Sequence, residues 1–229
     1  MHTLAIVVCV ALGALACWQA VMAMVFTLRA CKQTGRGKLD EKLPRVAILL
    51  ALRGADPHLK ENLQRLIQQD YPDYEIHIVI DSKLDPAWKT VQEFKIQTGT
   101  TKIYETPLSD RFQTCSLHCA SLIQLARELD ESFKIFVLID GDVVAHTAWL
   151  RELVRPLSEG DRASTGTRWY MPPTGNLGSV VRYVWNSAAV PAMYWCGIPW
   201  GGSLAGRTED LHPSRIIGLW QRALAVDAP

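Results

Sequence analysis

A mainly parallel, three-layer α/β sheet behind one membrane-crossing helix is the fold class predicted for this chain of 229 residues. Three observations predict it. Residues 3–28 carry no charged side chain, a stretch longer than the roughly 20 apolar residues that a helix needs to cross a bilayer. Beyond residue 44, short apolar runs alternate with segments of helical periodicity, the β-α-β order of parallel strands joined by crossover helices. Finally, the run Phe136-Val137-Leu138-Ile139 stops abruptly at Asp140-Gly141-Asp142, as a buried strand stops at the edge where open α/β sheets bind ligands.

The apolar segment reads as an uncleaved anchor over residues 3–28. A cleaved leader has a basic start and a shorter apolar core, whereas only His2 precedes this one. A basic linker follows at 29–43, with Arg29, Lys32, Arg36, Lys38 and Lys42. The excess of positive charge on this side places everything downstream in the cytoplasm, as a single-pass membrane protein. Cys9 and Cys17 fall in the anchor, leaving Cys31, Cys115, Cys119 and Cys196. No paired Cys or His set completes a zinc site, so these read as reduced thiols. A net charge of +1 lacks the basic face that nucleic acid requires.

The globular part opens at Pro44 and extends over 44–229. Residues 46–52 are wholly apolar, a first buried strand. Asp56 followed by Pro57 signals a helix start, and Leu59, Leu63, Leu66 and Ile67 form its apolar stripe. Tyr71-Pro72-Asp73 ends it. A second strand over 75–80 closes at Asp81, a helix follows over 86–97, and a short strand is expected at 101–105. A strong helix over 115–129 leads into the strand ending at Ile139, and another helix is expected at 147–157. Past it the chain turns rich in Trp, Tyr, Gly and Pro, without clean periodicity. Trp169, Tyr170, Trp185, Tyr194, Trp195 and Trp200 suit a sugar or lipid site or a membrane interface, with about half of them expected to pack internally.

Asp140 and Asp142 alternate across Gly141, so in an extended chain both carboxylates share a face. Two adjacent carboxylates repel, and a hard divalent cation that also binds phosphate resolves the repulsion. Asp-Gly-Asp is equally good turn chemistry. Asp81, at the end of the second strand, gathers on the same edge, where a carboxylate can bond the ribose or base of a nucleotide. There is neither a GxGxxG after the first strand nor a GxxxxGK[ST], which removes dinucleotide and P-loop readings. Asp140 to Val144 also fits the DxDx[TV] of haloacid-dehalogenase-like phosphatases, whose first Asp is a nucleophile. That family opens its domain with the motif, whereas here a βα series precedes it, and only 87 residues follow Asp142, without that family's later magnesium-holding acidic pair.

Several segments, in order, carry a resemblance: 46–56 (Val-Ala-Ile-Leu-Leu-Ala-Leu-Arg-Gly-Ala-Asp), Gln69-Asp70-Tyr71-Pro72, Asp81, Ile139-Asp140-Gly141-Asp142 and Trp200-Gly201-Gly202-Ser203. The chain resembles the family 2 glycosyltransferases of GT-A type, and within them the ceramide glucosyltransferase group. The resemblance implies a GT-A domain that moves a hexose, glucose from UDP-glucose, with inversion to a lipid hydroxyl. It implies that Arg53, Asp81 and Asp140 bind the nucleotide, and that Asp140 and Asp142 hold Mg2+ or Mn2+ on its diphosphate. Trp200, Gly201, Gly202 and Ser203 then line the sugar and acceptor site. The general base of the group is a later aspartate, commonly the second of an Asp-Asp pair. Here that position resembles Asp227, preceded by Val226, with Glu209-Asp210 as a competing pair. His118 stands where the group has a basic residue. The (Gln/Arg)-x-x-Arg-Trp motif of the group does not occur in its expected place, since Arg168-Trp169 precedes Gly-Gly-Ser. The domain is therefore expected to lack its C-terminal part, with a nucleotide- or partner-binding relative without turnover as the alternative.

Overall fold

Apolar runs with no polar break need cover on both faces, and helices provide it here. The computed structural model describes residues 2–33, 43–54, 56–167, 175–212 and 215–225. In order these form α1 (His2–Gln33), β1 (Val46–Leu52), α2 (Leu59–Ile67), β2 (Tyr74–Ile80), α3 (Pro86–Thr98), β3 (Ile103–Pro107) and α4 (Leu117–Glu128). Then come β4 (Ile135–Ile139), α5 (Trp149–Ser158), β5 (Ala163–Thr165), α6 (Leu177–Cys196), β6 (Ser203–Arg207), a 3-10 turn at Thr208–Asp210 and α7 (Ile216–Trp220). Contacts divide the chain into two units, residues 1–38 with 167–199, and residues 39–166 with 200–229.

The larger unit is a six-stranded sheet in the order β3-β2-β1-β4-β6-β5. β1 pairs in parallel with both β2 and β4, and β2 with β3. β6 runs antiparallel to β4 and β5. Alternation sorts the core into two layers. Val46, Ile48 and Leu50 of β1 and Val137 of β4 pack with Leu63 of α2, Val91 of α3 and Leu150 of α5. Ala47, Leu49, Phe136 and Leu138 pack on the other face with Leu122 of α4 and Trp220 of α7. The expected three layers are present.

Element starts differ from expectation where polar turns take up residues. Asp56 Oδ1 accepts from His58 N at 2.7 Å, closing a turn of its own, so α2 begins two residues beyond Pro57. The third strand starts at Ile103 because Gly99 caps α3 at φ +62° and Thr100 Oγ1 then accepts from Lys102 N at 3.3 Å. Ser116, not Cys115, opens α4, its hydroxyl accepting from Cys119 N at 3.1 Å. The antiparallel pair β5 and β6 was not expected. Ser203-Leu204-Ala205-Gly206-Arg207 is a poor strand by composition, yet Gly206 is required there: a Cβ would come within 2.7 Å of the Phe136 ring.

In the smaller unit, α1 is exposed along residues 3–21 and partly covered only at 22, 23, 25 and 26. It is long and apolar enough to cross a membrane. Near its end Phe26 meets the Tyr194 ring edge-on at 5.5 Å, and Arg29 lies 5.1 Å from the Trp195 centroid while bonding Tyr194 Oη at 3.2 Å. α6 was not foreseen; Asn176 caps it, and Gly197 ends it at φ +63°.

His77 on β2 is stacked on Tyr104, with the rings 5.3 Å apart, and lies 3.2 Å from Glu75 Oε2. Burial lowers its pKa and outweighs the upward pull of Glu75. The unfolded chain therefore takes up a proton near pH ~6.5 that the folded chain refuses. Stability should fall as pH drops from about 6.5 towards the lower folded value. His77→Gln is expected to flatten the decline in Tm between about pH 7 and 5; equal slopes in parent and variant would show that His77 is not responsible.

Candidate active site

In the sheet, strand order reverses between β1 and β4, and a crevice opens outside the carboxyl ends of the strands at such a point. Three chain segments leave the sheet there: Arg53-Gly54 after β1, Asp81 after β2 and Asp140-Gly141-Asp142 after β4. Asp81 N donates to Leu52 O at 3.3 Å, which extends the β1–β2 ladder to the edge. The Asp81 side chain is 20% exposed. Arg111 Nη2 donates to its Oδ1 at 2.7 Å and to its carbonyl at 3.2 Å, and Arg53 Nε lies 3.8 Å from Oδ2. Gly54, at φ +82°, turns the chain out of β1. Its N–H donates to the Asp85 carboxylate at 3.0 Å, which also caps α3 through Ala87 N.

Asp140 to Val143 is a turn rather than an extended segment, because Val143 N donates to Asp140 O at 3.2 Å. Asp140 and Asp142 therefore follow one another around a turn and not along an extended strand. Asp140 is half-buried and Asp142 exposed. Two buried amides of α2 and its end hold the loop. Asn62 Nδ2 donates to Gly141 O. Gln69 accepts from Leu150 N at 3.0 Å through Oε1 and donates to His146 O at 2.9 Å through Nε2. Asp70 adds a backbone bond to Thr147 O at 2.8 Å and an ion pair with Arg151 at 3.1 Å. The segment Gln69-Asp70-Tyr71-Pro72 thus braces the loop that follows Asp142.

Trp200-Gly201-Gly202-Ser203 reaches the same edge from the opposite direction, because β6 is antiparallel and begins where β4 ends, Ser203 opposite Ile139. Asp140 N donates to Gly202 O at 3.2 Å. A Cβ on Gly202 would lie 2.5 Å from Asp140 Oδ2 and closer still to the Trp200 indole, so only glycine fits. Ser203 is buried, and its Oγ accepts from Trp149 Nε1 at 2.9 Å.

Register separates the two candidate bases. β6 carries the chain from the Asp140 edge to Arg207 opposite Ile135, so Asp210 lies at the other edge of the sheet. There Arg162 and Arg215 bind its Oδ1 at 2.5 and 2.6 Å, a structural ion pair. The groove at that edge, lined by Phe133, Lys134, Arg207 and His212, is likewise distant from the strand-end carboxylates. Asp227, Arg168, Trp169 and Tyr170 lie outside the described residues. Ala223 O, close to Asp227 in sequence, accepts from Ser116 N at 3.2 Å at the start of α4. His118 is half-buried in the first turn of α4. Arg111 and Asn62 were not foreseen. Arg111 follows the third strand, so its place in a strand-end loop was the available signal; Asn62 sits on an apolar helix face and gave none.

The Asp140 and Asp142 carboxylates offer the hard oxygen donors that suit a divalent cation. Among the described residues no cluster of three or more His, Cys, Asp or Glu is placed to hold a metal by itself. Oxygens from a bound diphosphate and water would complete the shell.

A mostly parallel sheet of this order, with carboxylates leaving its ligand edge, is the fold of GT-A type proteins, and that is the fold class of this chain. The chain belongs to glycosyl transferase family 21, whose model matches residues 2–194. In fold it is similar to the mannosyltransferase PcManGT from Pyrobaculum calidifontis, solved with GDP-Man and Mn2+, with a TM-score of 0.57 at 20% identity over 86% of this chain. The chain spans 55% of that enzyme's length. Residues 1–349 of S. aureus TarS, with a TM-score of 0.49 at 13% identity, cover 75% of this chain and are themselves covered to 49%.

Two substitutions probe the edge. Gly202→Ala should force Trp200 or Asp140 to move and cost most of the donor affinity while the sheet stays folded, read by titration calorimetry and circular dichroism. Trp149→Phe leaves the buried Ser203 hydroxyl without its donor and should lower stability by ~1–3 kcal/mol in denaturant unfolding.

Proposed function

We propose that this glycosyltransferase is anchored in a membrane by α1, with its sheet domain on the cytoplasmic side, and moves glucose from UDP-glucose to a lipid hydroxyl, as in the ceramide glucosyltransferase group. The single observation that carries the reading is that Asp81 and the Asp140-Gly141-Asp142 segment leave the same edge of the sheet, at the ends of the two strands that flank β1, with Gly202 packed against Asp140.

Asp81 is the acceptor for the uracil N–H or ribose hydroxyls, and Arg111 and Arg53 hold it in place while facing the donor's negative charge. Asp140 and Asp142 would hold Mg2+ or Mn2+, which when bound neutralises charge developing on the leaving diphosphate. Trp200 and the glycines after it form the sugar and acceptor side, where glycine lets the substrate approach the backbone. Asp227 is the general base. It takes the acceptor hydroxyl's proton as that oxygen attacks the anomeric carbon from the face opposite the diphosphate, and the bond from that carbon to the phosphate oxygen breaks with inversion. Anchoring confines enzyme and lipid acceptor to one surface.

The full chain in lipid nanodiscs should bind UDP-glucose only with Mg2+ or Mn2+ present, and Asp142→Ala should weaken binding at least tenfold in calorimetry. Asp227→Asn should bind the donor normally but release UDP at least a hundredfold more slowly with a ceramide acceptor. Metal-independent binding overturns the carboxylate assignment. Binding by the parent with no UDP release from any lipid acceptor indicates instead a relative that binds without turnover, a reading that Val226 in place of the first Asp of the pair would then explain.

A further inference from the structure

The large apolar side chains of α6 are unusual in being exposed while lying on one face. Leu177, Val180, Val181, Val184, Trp185 and Ala188 are spaced i, i+3, i+4, i+7, i+8 and i+11, the stripe of an amphipathic helix. Leu177 is 80% exposed and Trp185 76%. The opposite face carries Ser179, Arg182 and Asn186, and Arg182 is the one charge in the helix. Twenty residues would be long enough to span, but Ser179, Arg182 and Asn186 give the first half of the helix a polar side, which suits a stretch lying in the interface rather than crossing it.

A second observation says what covers this stripe. The C-terminal end of α6 is fixed to α1 at the residue where the apolar span ends. Arg29, the first charge after residues 3–28, donates to Tyr194 Oη at 3.2 Å and lies over the Trp195 ring at 5.1 Å. If α1 crosses a bilayer, Arg29 sits at headgroup level and so do Tyr194 and Trp195, the depth at which amphipathic rings concentrate.

We infer that α6 is an interfacial helix, lying in the membrane surface with its Val181–Val184–Trp185 face against the acyl boundary. The inference rests on the anchor reading of α1 and adds to it a second membrane element. Its occupant is the phospholipid surface itself. The apolar face would sink roughly 5–10 Å below the headgroups, with Arg182 left among the phosphates.

The test places a nitroxide at position 184, at 179 on the opposite face, or at 10 within α1, in the full chain reconstituted in phosphatidylcholine–phosphatidylserine nanodiscs. A genetically encoded keto amino acid carries the label, so the native cysteines stay. Position 184 should collide several-fold more with dissolved oxygen than with a water-soluble nickel chelate, and position 179 the reverse. Position 10 reports α1 separately. Oxygen access at 10 with nickel access at 184 overturns the inference and leaves the anchor standing; nickel access at both overturns both. Shielding of 184 from both reagents means a protein surface covers the stripe and also overturns it. Should the label at 184 prevent folding, lipids brominated on the acyl chain serve instead. They should quench the parent more than Trp185→Phe, and equal quenching refutes the placement.

Discussion

The candidate site depends on two buried amides. A carbonyl or amide taken out of water without a partner costs about 1–3 kcal/mol, so buried amides dictate where their partners lie. Asn62, in the middle of α2, binds Gly141 O, and Gln69, just past its end, binds His146 O and Leu150 N. Between them they pin both ends of the loop that carries Asp140 and Asp142. The rest of the edge is assembled on that loop. Asp140 N holds Gly202 O, and Trp149, at the far end of the same segment, holds Ser203 through its indole N–H. Loosening α2 would release the carboxylates and the Gly-Gly-Ser segment together.

Charge is distributed over the two edges of the sheet in different ways. At the carboxyl edge, Asp81 is held by guanidiniums that remain largely in solvent, Arg53 at 70% exposed and Arg111 at 51%. Such pairs add little to stability, and their effect is to fix the orientation of the Asp81 carboxylate. At the amino edge, Asp210 is 13% exposed and both arginines converge on one of its oxygens. The same residue type is therefore held by solvent-exposed arginines at one edge and enclosed at the other.

Much of this was legible in the chain itself. The buried strands β1 and β4 are unbroken apolar runs and β2 becomes one from Ile78, and the residues that follow β2 and β4, Asp81 and Asp140, are polar where the sheet stops. The segment from Gln69 to Pro72 could be recognised, but its role could not be, since Gln69 works through backbone groups of residues 77 and 81 positions away. β6 was illegible for a related reason: Gly206 has poor strand propensity, and its place is set by the Phe136 ring on a neighbouring strand. Arg111 lies in a loop with no periodicity, and its partner Asp81 is 30 residues earlier. Local pattern reports what a residue does to its own segment, and these residues act on others.

The reversed direction of β6 has a consequence for how this protein can vary. Asp140 follows its strand, whereas Gly202 precedes one, so the two meet only while Ser203 stays opposite Ile139. Residues added before Trp200 leave that pairing alone, and so do residues added after Arg207. A single residue added between Ser203 and Ala205 would either turn Ala205 from core to surface or carry Gly202 away from Asp140. Length change in this part of the chain is thus filtered by position: the flanks can lengthen and diversify, while five residues in the middle keep their count.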